Sequence, residues 1–157
     1  MSKPTVYLAG PVQHADGGGA GWREQIQQCY ADEYDFRDPL SKYNAPADGL
    51  TIVEGRSRPE VPNTVGTREI VEGDKGLLKE SDAVLVGYSD VQSVGTPMEV
   101  MWAFERAYPI AVWIRDETPI ADLSPWYRFH AGAITNHAEM ALGHLDRATN
   151  VGVPDDE

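Results

Sequence analysis

A chain of 157 residues, 41% of them hydrophobic, can bury one core, and no apolar stretch nears the roughly 20 residues that span a bilayer. The formal net charge of −12, from 25 Asp and Glu against 13 Lys and Arg, excludes nucleic-acid polymers and anionic membranes as expected partners, both being polyanions themselves. A single cysteine, Cys29, rules out an internal disulfide, and the start Met-Ser-Lys-Pro lacks a secretion signal's apolar run, so a cytoplasmic address is expected.

The run Thr5-Val-Tyr-Leu-Ala9 predicts a buried strand that stops at Gly10-Pro11. After a loop containing Gly17, Gly18, Gly19 and Gly21, whose expected contribution is flexibility, helical spacing runs over 22–31. It puts Trp22, Ile26, Cys29 and Tyr30 on one face, with Cys29 semi-buried. Residues 34–37 read as a short strand closed by Asp38-Pro39. Residues 40–66 show no period and read as a long loop, which in a single domain is functional or mobile. A helix over 67–81 follows, with Asp74 on the side of Ile70 and Leu78. Ala83-Val-Leu-Val-Gly87 reads as a strand buried on both faces. A helix over 97–107, a strand over 110–114, a loop over 118–125 and a last helix over 136–148 complete the pattern, and 152–157 is expected to fray.

Strands alternating with helices imply a single α/β domain over 1–157, with a parallel sheet covered by helices on both faces. Ligands of such sheets bind beyond the carboxyl ends of the strands, which puts the Gly10 loop and the segment Ser89–Glu99 at one rim. A Walker loop and a dinucleotide fingerprint are absent. His14, His130, His137 and His144 lack zinc spacing, so no metal is expected. The acidic surface also suits solubility at high salt, where repulsion is screened. A halophilic source and an ordinary acidic protein both remain open.

Two readings meet in Ser93-Val-Gly-Thr-Pro-Met-Glu99. In one, Thr96 is an N-cap, Pro97 the first helical residue and Glu99 the third member of a capping box. In the other, Glu99 lies near the positive end of a helix at a ligand rim, where an ionised carboxylate can attack a sugar anomeric carbon.

Tyr7-Leu-Ala-Gly-Pro11, Trp22-Arg23, Asp74 ahead of Ser81-Asp-Ala-Val-Leu-Val86, and Gly95-Thr-Pro-Met-Glu99 together resemble the nucleoside 2-deoxyribosyltransferases, over about residues 5–114. Ser124-Pro-Trp-Tyr-Arg-Phe-His130 matches less closely. The resemblance implies a flavodoxin-like fold, a small-molecule nucleoside or nucleotide and a nucleobase as ligands, no cofactor, and a homo-oligomer. It implies Glu99 as nucleophile, Tyr7 holding its carboxylate, and Asp74 binding the base and giving it a proton. Gly10, Pro11, Gly95 and Met98 would line the substrate, with Trp126 and His130 near the pocket or at a subunit interface. Many transferases carry Asp where this chain has Ser93. The related deoxynucleoside 5′-monophosphate N-glycosidases carry Ser there, which helps bind the phosphate, and Arg23 would complete that anion site unless it is simply a solvated residue at a helix start. Deoxyribose transfer, hydrolysis of a 5′-monophosphate, and a non-catalytic nucleotide-binding module all remain open.

Overall fold

The computed structural model describes residues 3–43, 46–58 and 60–150. In chain order its elements are β1 (Thr5–Ala9), α1 (Ala20–Tyr30), β2 (Asp35–Arg37), β3 (Thr51–Val53), β4 (Thr64–Gly66), α2 (Thr67–Lys79), β5 (Ala83–Tyr88), α3 (Gly95–Glu105), β6 (Ile110–Ile114), α4 (Pro125–His130), β7 (Ala133–Thr135) and α5 (Ala138–Thr149). The main sheet runs β2-β1-β5-β6-β7, parallel throughout. With the small parallel pair β3-β4 set aside, this is the doubly wound order 2-1-3-4-5, whose winding reverses between β1 and β5.

Parallel pairing obliges the chain to cross over between strands, and the crossovers cover both faces. The two-residue period of the strands then sorts their side chains. Val6, Leu8 and Leu85 pack with Trp22 and Ile26 of α1 and Leu142 and Leu145 of α5. Tyr7, Ala9, Val84 and Val86 face the other way, against Leu78 of α2 and Val100 and Ala103 of α3. Fully burying each large aliphatic side chain is worth about 1.5–3 kcal/mol, so the central strands carry much of the stability.

Several expectations change. The segment 40–66 is not a structureless loop: it holds two short 3-10 turns, Pro39–Lys42 and Ala47–Gly49, and the β3-β4 pair. Its strands are three residues each, too short to show a period. The helix expected from Pro97 begins at Gly95. Residues after Ser124 form α4, where Ser124 caps the helix by accepting the Trp126 amide at 3.2 Å. Cys29 is exposed rather than semi-buried. The tail 152–157 lies outside the described residues.

Candidate active site

At the end of β1 the chain turns through Gly10-Pro11, and Arg23 of α1 reaches into that turn. Its guanidinium donates to the carbonyls of Leu8 (3.3 Å), Gly10 (2.9 Å) and Gly19 (2.9 Å), with the Asp38 carboxylate at 3.9 Å. Arg23 is 0% exposed, so it is a buried clamp on the first loop and not a solvated helix-start residue; three of its five N–H donors meet protein carbonyls. Of the glycines before α1, Gly18 and Gly19 are buried, whereas Gly17 is exposed with open space around it. Gly19 has φ +78°, and a Cβ there would lie 2.5 Å from both Arg23 Nη1 and the Pro11 carbonyl oxygen. On β5, Gly87 leaves room for the Trp22 indole, whose carbons lie 2.6 Å from where a Cβ would stand.

Tyr7, Asp74 and Glu99 come from β1, α2 and α3, and the sheet's alternation turns Tyr7 toward the layer that holds both helices. Glu99 is pushed up to about 8, first by burial and next by the negative charge of Asp74, while Tyr7, Arg23 and Lys42 pull the other way. Burial also raises Asp74, against the opposing pull of Lys42. Tyr7 is raised far above the ordinary phenol range by burial, then by Glu99 and Asp74. The Tyr7 hydroxyl and Glu99 Oε2 are both buried without a partner of regular hydrogen-bond geometry among the described residues, although each perturbs the other's ionisation. We take them as adjacent groups whose bond is not closed. Such a pair of unsatisfied polar atoms is costly in a core, at about 1–3 kcal/mol each, and is usual where a ligand completes the set.

Lys42 and Tyr43 join this group, and the sequence reading missed both. The Lys42 ammonium pairs with Asp74, donates to the Pro39 carbonyl at 2.9 Å and lies 4.8 Å from the centre of the Tyr43 ring. Burial, then Asp74, pushes Tyr43 up to about 12. No spacing rule links residue 42 to residue 74; the available signal was a lysine in a chain with only four of them.

The start of α3 corrects the capping box. Val94 occupies the N-cap position without a side-chain cap. Ser93 Oγ instead accepts the Thr96 amide at 3.3 Å and shares a hydrogen bond with Thr96 Oγ1 at 2.8 Å. Glu99 is thus the fifth helical residue, two positions past the one that reaches back to a cap, and its carboxyl is available for other work. Gly95 lies beside it, with Glu99 Oε1 3.7 Å from where a Gly95 Cβ would be. Outside this turn lies a cleft of about 330 Å³ whose walls include Pro11, Tyr88, Ser93, Thr96, Trp126 and Tyr127. Neither Tyr7, Asp74 nor Glu99 forms its wall, but Tyr127 is pushed up to about 12 by burial, Tyr88 and Glu99, which ties the cleft to the buried carboxyl.

Of the residues expected to meet substrate, Pro11, Ser93 and Trp126 line the cleft, whereas Gly10, Arg23, Gly95, Met98 and His130 do not. Met98 points outward, 67% exposed, and is not part of the cleft. His130 stacks on Trp126 with ring centroids 5.8 Å apart and bonds through Nδ1 to the Trp126 carbonyl; it faces a separate groove with Phe129. Among the described residues, no three or more His, Cys, Asp or Glu side chains gather as a metal site would require, and no helix is long and apolar enough to cross a membrane.

No family model matches the sequence, and no curated protein matches it. Solved structures do share the fold. A conserved protein from Enterococcus faecalis superposes with a TM-score of 0.65 at 15% identity, covering 93% of this chain and 99% of that one. A 2-deoxyribosyltransferase from the psychrotolerant bacterium Bacillus psychrosaccharolyticus superposes with a TM-score of 0.58 at 15% identity, covering 83% of this chain and 84% of that one. The chain therefore has the parallel α/β fold of a deoxyribosyltransferase, with five strands in its main sheet.

Proposed function

We propose that the protein cleaves the N-glycosidic bond of 2′-deoxyribonucleosides and transfers the deoxyribose to another base through a Glu99 adduct. The observation that carries this reading is the Glu99 carboxyl, whose Oε2 is buried without a partner, beside Tyr7 and Asp74 at the rim where the sheet reverses its winding. The shared fold with a deoxyribosyltransferase supports it. In the first step a Glu99 oxygen bonds to the anomeric carbon as the glycosidic bond breaks. The bonding pair leaves with the base nitrogen, and Asp74 supplies the proton. Tyr7 then donates to the Glu99 carboxyl, and a second base reverses the sequence and restores the free carboxylate.

One observation favours a second reading, hydrolysis of deoxynucleoside 5′-monophosphates. The cleft beside Ser93 and Thr96 carries no carboxylate, and both hydroxyls stand at the first turn of α3, where helix amides favour an anion. Because Arg23 is committed to backbone carbonyls, a phosphate there would rely on these hydroxyls and on backbone amides.

Incubation with deoxyinosine, and separately with a deoxynucleoside 5′-monophosphate, each with and without adenine, tests the proposal. Formation of deoxyadenosine from deoxyinosine is the expected result. Free deoxyribose 5-phosphate from the monophosphate alone selects hydrolysis. No turnover of either substrate overturns both reactions and leaves a binding module.

A further inference from the structure

Lys42 is built into the site more firmly than a surface lysine. Its side-chain stem packs on α2 at Gly73, where a Cβ would stand only 3.0 Å from Lys42 Cδ and 3.1 Å from Cε. Its ammonium has three destinations: the Asp74 carboxylate, the Pro39 carbonyl and the face of Tyr43. The other groups around the Asp74–Glu99 pair are Tyr7 from β1, Arg23 from α1, with Asp38 beside it, Tyr43 itself, and Tyr127 from α4. Glu69 of α2 reaches Tyr43 but is bound to Ser57.

Two carboxyl groups that feel each other share their protons, and the first to bind goes to the member with less positive charge beside it. The lysine lies on Asp74, whereas Oε2 of Glu99 has no partner. We propose that Lys42 is a positioning residue that pairs with Asp74 and so leaves the single acidic proton of the Asp74–Glu99 pair on Glu99 until a base edge competes for Asp74. This rests on the reaction proposed above for its significance, though not for its test. Covalent attack needs Glu99 ionised and Asp74 protonated, which has the same proton count as the resting arrangement. When a base displaces the ammonium, the proton leaves Glu99 and resides on Asp74, and the lysine keeps its own protons. The nucleophile is thereby unmasked only with a leaving group in place, which protects it from unproductive chemistry. The order of titration agrees, since Glu99 is pushed up to about 8 with the Asp74 charge as the second cause after burial.

The test is a carboxyl-carbon NMR titration of the whole protein, labelled at Asp and Glu, for the wild type, Lys42→Met and Lys42→Arg, with Glu99→Gln and Asp74→Asn used to assign the signals. In Lys42→Met the Glu99 midpoint is expected to fall, and that of Asp74 to rise, by about one pH unit or more, the usual reach of a close charge. Lys42→Arg is expected to stay near the wild type. Removing a cation would ordinarily raise a neighbouring carboxyl, so a Glu99 midpoint that rises or stays put in Lys42→Met overturns the proposal. If Lys42→Met does not fold, Lys42→Gln, which keeps a polar end near Asp74, carries the same two outcomes. Turnover of deoxyinosine, measured in parallel, reports separately on the reaction. Shifted midpoints without turnover refute the chemistry and keep the proton assignment, while turnover with unshifted midpoints does the reverse.

Discussion

Glu99 has one carboxyl oxygen, Oε2, buried without a partner, and its titration is tied to stability. Its value moves from the ordinary 4.5 up to about 8 on folding. The folded state therefore binds more protons than the unfolded one between those limits, and stability falls as pH rises through that window. Glu99→Gln cannot ionise, so the difference in melting temperature between it and the wild type should widen in favour of the variant from pH 5 to pH 8. Equal slopes for the two proteins would show that Glu99 is not the buried acid described here. The same variant should lose turnover by on the order of 10⁴-fold or more, as expected for a covalent nucleophile. In the wild type, kcat/KM should fall as pH rises through about 8, where the Asp74–Glu99 pair loses the one proton that the reaction needs on Asp74. Tyr7 and Asp74 were legible as candidates from the chain alone because each stands in a motif. Lys42 was not, because its partner is 32 residues away and only the fold brings them together.

Among the elements, α1 docks on the sheet through Trp22, which rests over Gly10 and Gly87 and sets its edge against Trp113 at 6.0 Å. A side chain on Gly87 has nowhere to go. Gly87→Ala is expected to cost about 1–3 kcal/mol by overpacking, measured as a lower denaturation midpoint, and an unchanged midpoint would mean that α1 shifts freely. The same docking holds Arg23 against the Gly10 turn, so the variant should also loosen the first loop. The helix start at α3 shows why local rules misplaced the cap. Thr96-Pro-Met-Glu99 satisfies the capping-box pattern, yet Ser93 supplies the hydroxyl and the helix begins two residues before Pro97. Proline is tolerated there because the amides of the first turn have no helical partner anyway.

For the molecule as a whole, charge and exposed apolar surface make separate demands. With a net charge of −12, acidic self-repulsion is screened over about 10 Å at 0.1 M salt and about 3 Å at 1 M. The denaturation midpoint should therefore climb between low and molar potassium chloride, and a flat series would remove high-salt adaptation as an explanation of the composition. Beside the cleft, Phe104 of α3 and Trp126, Phe129 and His130 of α4 form one aromatic cluster, with Phe129 73% exposed.

The α/β class, the strands β1, β5 and β6, the helices α1, α2, α3 and α5, and the rim that bears Glu99 were all legible in the chain's own patterning. Periodicity and strand-to-turn signals are local, and a parallel sheet forces its ligand end once strands and helices alternate. Only the tertiary structure decided how the side chains at that rim are used. It turned Arg23 from a candidate phosphate ligand into a clamp on three carbonyls, moved Met98 and His130 away from the cleft, and set Lys42 on Asp74. Short elements such as β3, β4 and β7 were invisible for the same reason: at three residues each they have no period to read and exist by pairing alone. Burial, pairing and charge coupling between residues far apart in the chain arise when the layers close, and no local pattern encodes them.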